Sequence, residues 1–158
     1  MRPTSAELIT RISDALDTTV LPAIKDDKWA ASVVRSAMTL LSHLATRVEL
    51  EAPVLIADNA DADEALRAVA ASLAKHPALH GRVKNGLENG IAIPLYDAVA
   101  LDARNREYQT VIEAILRELH NSPDAADRNT RGVLLDYLRR RVGRERDIYF
   151  PAFTGPPF

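Results

Sequence analysis

Residues 28–50 read KWAASVVRSAMTLLSHLATRVEL, and within them Ala30, Val33, Val34, Ala37, Leu41, Leu44, Ala45 and Val48 recur at spacings of three and four. At about 100° per residue these side chains share one face, which defines an amphipathic helix. Asp26 and Asp27 lie just ahead of it, where carboxylates suit the positive end of the helix dipole. The stripe is the cleanest in the chain and marks the segment as the core helix. His43 falls on the opposite side with Ser32, Ser36 and Arg47, facing solvent, and Trp29 stands at the head as a packing anchor.

On the N-terminal side, Thr4 and Glu7 form a capping box, and Leu8, Ile12, Ala15 and Leu16 continue as a first helix that Pro22 should end. On the C-terminal side, Pro53 should end the core helix. Glu49, Glu51, Asp58, Asp61, Asp63 and Glu64 then form an acidic stretch with no basic residue between Pro53 and Arg67. It reads as a loop feeding a helix N-terminus, and it lacks the spacing, central glycine and terminal glutamate of a calcium-binding EF-hand loop. Leu66, Val69, Ala70 and Leu73 make a short third helix stopped by His76-Pro77. Leu79, Val83 and Leu87 make a fourth, closed by Asn89-Gly90. A second long helix runs from about Leu95 to His120, and a sixth from Thr130 to Val142 rests on Leu134, Leu135, Tyr137, Leu138 and Val142.

No segment alternates with a period of two, so the fold class is all-α: a single-domain bundle of about six helices over residues 1–148, with an extended docking tail at 149–158. Arg11-Ile12, Leu16-Asp17 and Val20-Leu21-Pro22 match Arg82-Val83, Leu87-Glu88 and Ala92-Ile93-Pro94 at a nearly constant offset. Either the bundle is a pseudo-two-fold duplication, or proline-punctuated Ala/Leu helices have aligned by chance.

Composition bounds the function. The 158 residues carry 20 Lys+Arg against 22 Asp+Glu, are 47% apolar and contain no cysteine. A chain of this length can bury roughly 70% of its unfolded surface and needs no metal or disulfide merely to fold. The missing cysteines exclude disulfide frameworks, Cys-containing metal sites and thiol nucleophiles. Met1-Arg2-Pro3-Thr4-Ser5 leads into no apolar leader, and the longest apolar run, Ala52 to Ala57, is far below the roughly 20 residues that span a bilayer. A cytoplasmic protein without membrane contact is expected. The net charge of -2 argues against a general nucleic-acid binder.

Four histidines do not assemble a metal site, because Pro77 separates the helical phases of His76 and His80, and no Glu-x-x-His pair occurs. No catalytic residues, metal or cofactor are assigned. Three other features carry candidates. On the second long helix, Asp97, Arg104, Asn105 and Tyr108 fall near the buried stripe of Leu101, Tyr108, Ile112, Ile115 and Leu119. Such residues form an internal network, bind a polar ligand, or project past their neighbours. As a pocket, Arg104 would anchor a carboxylate or phosphate and Tyr108 would line it. Second, Arg128, Arg131, Arg139, Arg140, Arg141, Arg144 and Arg146 face only Asp136 and Glu145 in the same stretch. That is a solvated helix end or an electrostatic docking patch, with Arg139, Arg140 and Arg144 as its partner-binding candidates. Third, Tyr149, Phe150, Phe153 and Phe158 are half of the eight aromatics in the chain and alternate with prolines. An aromatic tail docks on its own bundle or on a partner.

Arg2-Pro3-Thr4-Ser5-Ala6-Glu7-Leu8, Val20-Leu21-Pro22-Ala23 and the long helix through Leu50-Glu51 resemble the opening of a bacterial family of small helical proteins of unknown function. Members of that family are often encoded beside aminoglycoside-phosphotransferase-like kinases and acyl-CoA dehydrogenases. The resemblance, confined mainly to residues 2–51, implies an accessory role beside such enzymes and carries no catalytic residues. The expected function is therefore a non-catalytic accessory or interaction protein for a kinase-like or acyl-CoA-metabolising enzyme, acting on a protein partner or as a homo-oligomer. The alternative is a helical protein that binds a small anionic or acyl-CoA-like ligand.

Overall fold

The computed structural model describes residues 3–88 and 97–149, and the described residues form helices joined by short turns, with no strand. Five helices carry the fold: α1 (Ser5–Ala15), α2 (Lys28–Ala70), α3 (Pro77–Glu88), α4 (Ala98–Glu118) and α5 (Ala125–Tyr149). The expected all-α class holds. The Asn89-Gly90 cap, the proposed repeat at Ala92-Ile93-Pro94 and the tail aromatics Phe150, Phe153 and Phe158 lie outside the described residues.

The start of α1 follows its capping box. The Glu7 amide donates to Thr4 Oγ1 at 3.1 Å, and the Thr4 amide donates to Glu7 Oε2 at 2.8 Å. After Ala15 the chain widens into a π-helical stretch, Leu16–Val20, and closes with the single turn Leu21–Ala23, so Pro22 sits in the last turn. Asp27 caps α2 by accepting from the Ala30 amide at 2.9 Å.

Pro53 does not end α2. The helix runs on for 43 residues through the acidic stretch, which is therefore helical and not a loop, and absorbs the expected third helix. A proline inside a helix costs roughly 3 kcal/mol. Burying Leu66, Val69 and Leu73 on the continuing face returns roughly 1.5–3 kcal/mol each. Tertiary burial thus outweighs the local penalty. The break at Pro53 on which the repeat depended is absent, and the 43 residues of α2 stand against 21 in α4. The helix passes into the 3-10 turn Ala71–Lys75 before the expected stop at His76-Pro77.

Contacts group the chain into two compact units: a terminal unit of Met1–Glu51 with Arg146–Phe158, and a central unit of Ala52–Glu145. The central unit holds the main core. Ala62, Ala65, Leu66, Val69 and Leu73 meet Leu79 and Val83 of α3, Tyr108, Ile112 and Ile115 of α4, Leu119 just beyond it, and Leu134 and Tyr137 of α5. Leu135 and Val142, expected on the buried stripe of α5, are exposed, because the packed face of that helix is the one bearing Leu134 and Tyr137.

The terminal unit is built differently. Among its described residues only Ala6, Ala31 and Ile148 are buried. The expected core face of residues 28–50 is instead divided. Ala31 is buried and Val34, Met38, Leu41 and Ala45 are half-buried, whereas Val33, Leu40, Leu44 and Val48 are exposed. Trp29, far from anchoring a core, is 77% exposed, and His43 is half-buried.

Two substitutions check this distribution by urea denaturation. Leu66→Ala, in the dense central core, should cost about 2–5 kcal/mol. Gly143→Ala, at a helical position where an added Cβ meets no neighbouring atom, should stabilise by about 0.5–1 kcal/mol.

Candidate functional site: a buried acid–arginine network

Asp58 lies one helical turn before Ala62 on the inward face of α2 and is almost wholly buried. A carboxylate in that position must be paired, since an isolated buried charge costs many kcal/mol. Its partners come from two other helices. Asp58 Oδ2 accepts from Asn105 Nδ2 on α4 at 2.6 Å and from the Tyr137 hydroxyl on α5 at 3.0 Å. Asp58 Oδ1 accepts from Arg144 Nη2 at 2.6 Å and from its Nε at 3.2 Å. The Arg141 guanidinium stands 3.7 Å away and bonds to Glu145.

Asp61, one turn on, takes a two-pronged contact from Arg140 at 2.6 and 3.1 Å and a third bond from Arg144 Nη2 at 2.7 Å. The bonds from Arg140 hold its carboxyl below the ordinary value against the opposing effect of burial, and Arg144 adds to them. The tyrosine hydroxyl of Tyr137 accepts from Gln109, and burial, reinforced by the charge of Asp58, pushes its pKa strongly upward. Tyr137, Arg140 and Arg144 share one side of α5 by their spacing of three, four and seven.

A second branch runs along the same α2–α4 contact. Arg104 Nη2 donates to the Tyr108 hydroxyl at 2.8 Å, and that hydroxyl donates to Asp63 Oδ1 at 2.8 Å. The Arg104 guanidinium carbon lies 4.2 Å from the centre of the Tyr108 ring, and its Nη1 donates to Glu107. Burial raises the carboxyl of Asp63, but bonds from Arg67 and Tyr108 more than reverse it and leave it below its usual range. Asn59 extends the Asp58 branch, donating to the Leu101 carbonyl and accepting from Asn105 at 3.0 Å each.

Of the four ligand candidates, Arg104, Asn105 and Tyr108 are brought together and buried, as the helical phase predicts. Asp97 is not among them. It is exposed and caps α4, its Oδ1 accepting from the Ala100 amide at 3.0 Å. The arginine candidates divide as well: Arg140 and Arg144 serve the acids of α2, and Arg139 pairs with Asp136 at the surface. Asp58, Asp61, Asn59, Gln109 and Tyr137 belong to the network although the sequence reading did not select them for it. The available signal was Asp58 in phase with Ala62, Leu66, Val69 and Leu73, a carboxylate on an otherwise apolar face.

At the other end of this unit, Asp127 accepts from Ser122 Oγ at 2.5 Å and lies 3.1 Å from His76 Nε2, while Lys75 reaches Asp124 at 2.9 Å. The carboxylate stands between serine and histidine, so the order is not that of a serine–histidine–acid triad, and the cluster ties the start of α3 to the start of α5. The bond from Ser122, opposed by burial and aided by His76, lowers the Asp127 pKa. Among the described residues no group of three or more His, Asp or Glu side chains could hold a metal ion, and no helix is long and apolar enough to cross a membrane. No protein-family model, curated protein or solved structure matches the chain.

The network neutralises charge inside one unit, and its loss should register as stability. Asp58→Ala leaves Arg144 and Tyr137 without their buried acceptor and should cost about 3–5 kcal/mol in urea titrations. Asp61, Asp63 and Asp127 all have carboxyls held lower in the folded state than in the unfolded chain. Their contribution is complete above the unfolded value near 4 and is lost as pH falls through the lower folded values. The urea midpoint should therefore be flat from neutrality to about pH 5 and fall below about pH 4, less steeply in Asp61→Asn.

Proposed function

We propose that the protein is a non-catalytic interaction protein whose contact surface lies on the terminal unit. One observation carries this reading. Of the eleven exposed large apolar side chains among the described residues, eight belong to that unit: Leu8 and Ile12 on α1, and Trp29, Val33, Leu40, Leu44, Val48 and Leu50 on α2. Scattered apolar residues are normal on a surface, but eight on two helices whose unit buries so little of its own are what a contact surface presents. The arginine helix is the weaker candidate, because Arg140 and Arg144 already serve Asp61 and Asp58. Arg104, the anchor of the anionic-ligand alternative, is likewise engaged by Tyr108 and Glu107. The resemblance of residues 2–51 to a bacterial family of small helical proteins of unknown function, often encoded beside such enzymes, supports a kinase-like or acyl-CoA-metabolising enzyme as the client.

The test is comigration on a sizing column with the enzymes encoded beside its gene, using wild type and the variants Leu8→Glu/Ile12→Glu and Leu40→Lys/Leu44→Lys. All four positions are exposed, so circular dichroism should be unchanged. Comigration of wild type that either variant loses supports the proposal. Separate elution of wild type from every such enzyme, or comigration kept by both variants, overturns it.

A further inference from the structure

A trough runs along the outside of the central unit between α4 and α5. Ile112 and Leu116 line it from α4 and Leu138 from α5, and it extends from Gln109 to His120, just past the end of α4. Gln109 donates to the Tyr137 hydroxyl at one end, and Arg131 donates to the His120 carbonyl at the other, so the two helices run antiparallel along it. Leu135 and Val142, about one turn to either side of Leu138, widen its apolar margin. They are two of the three exposed large apolar side chains that this unit has among its described residues.

The border of the trough is basic. At 100° per residue, Arg128, Arg131 and Arg139 fall with Leu135 and Val142 inside an arc of about 80° around α5. Arg140 and Arg144, which hold Asp61 and Asp58, lie on another side of the helix. Arg139 pairs with Asp136, and Arg117 on the α4 border pairs with Glu113, both at the surface. Arg128 and Arg131 bond to the backbone carbonyls of Pro123 and His120, and neither meets a carboxylate among the described residues. Four arginines therefore stand against two carboxylates, and both acids are already taken.

We infer that this trough is a docking site for an amphipathic helix of a partner protein, apolar at i, i+4, i+7 and i+11 and acidic on the flank that meets α5. The site stands apart from the contact surface on the terminal unit and uses none of it. Three features carry the choice of occupant. The trough holds about 530 Å³ but is open along its length. A small ligand is held by burying about 70–90% of its surface, whereas a helix buries one face and leaves the other in water. From Gln109 to His120 the trough covers about 16 Å, or three helical turns, and a groove between two antiparallel helices is the natural seat for a third. The unpaired guanidinium groups beside it favour carboxylates and repel a basic partner. A nucleic-acid backbone would meet the arginines but leave the apolar lining bare, and no aromatic side chain lines the trough for a base to stack on.

Fluorescence anisotropy on the full chain tests the site with a labelled synthetic peptide of about 15 residues, leucine at those four positions and glutamate on the flanks. Binding should saturate, raise the helicity of the peptide and weaken as salt rises. The same peptide with lysine for glutamate should bind at least about tenfold more weakly. Arg128→Glu/Arg139→Glu, at two exposed positions, should reverse that preference with an unchanged circular dichroism spectrum. Leu135→Ser should weaken binding about three- to tenfold. Leu8→Glu/Ile12→Glu should bind the peptide as wild type does. The inference is overturned by an absence of saturable binding, by equal binding of the lysine peptide, by binding that the Arg128/Arg139 and Leu135 variants leave unchanged, or by its loss in Leu8→Glu/Ile12→Glu. Tighter binding in Phe153→Ser/Phe158→Ser would make the chain's own tail the occupant, and a concentration-dependent mass that Leu135→Ser abolishes would make it a second copy. Either result also overturns the inference.

Discussion

Burying the carboxylate of Asp58 is the constraint from which most of the central unit follows. A negative charge on the inward face of α2 can stay only if donors reach it, and the nearest come from Asn105, Tyr137 and Arg144. Those three lie on α4 and α5, so satisfying one side chain sets the rotation of two helices about their axes. The apolar layers of Leu66, Ile112, Ile115 and Leu134 supply most of the burial energy but tolerate small rotations. The directional bonds to Asp58 and Asp61 do not, because each donor must stay within hydrogen-bond reach of its carboxylate.

The same pairing explains a charge distribution that is lopsided along the chain and nearly balanced in space. The acidic stretch after Pro53 and the arginines of α5 are about 80 residues apart in sequence, yet Arg140 and Arg144 lie on Asp61 and Asp58. The charge of those two arginines, which would otherwise be offered to a nucleotide, phosphate or acidic partner, is consumed within the unit. What the molecule leaves exposed in quantity is apolar and lies on α1 and the first half of α2. The central unit keeps its polar groups inside, and the terminal unit keeps apolar groups outside. The proposed interaction role rests on that division.

Much of this could be read from local pattern. The capping box at Thr4 and Glu7 and the cap at Asp27 depend on neighbours within a turn, so spacing alone predicts them, and helical phase sets Arg104, Asn105 and Tyr108 beside the apolar stripe of α4. Pro53 misled because its cost is local and the compensation, burial of Leu66, Val69 and Leu73, is not. Trp29, Leu44 and Val48 misled for a related reason: periodicity shows that a helix has an apolar face and says nothing about whether anything lies against it. Asp97 was placed by its angular position near the stripe, but it is the residue that begins α4, and a cap's side chain turns back to the helix amides.

By itself the sequence determined that the chain is helical, where α1 and α2 begin, and which helix faces are apolar, because hydrogen bonding along a helix and side-chain periodicity are short-range properties. Tertiary structure alone decided that α2 continues through Pro53, that Asp58 and Asp61 meet Arg144 and Arg140, and that the cleanest apolar stripe is left half open. Each of those outcomes depends on which surfaces meet across long stretches of chain, and pairing energies of that kind have no signature in the spacing of neighbouring residues.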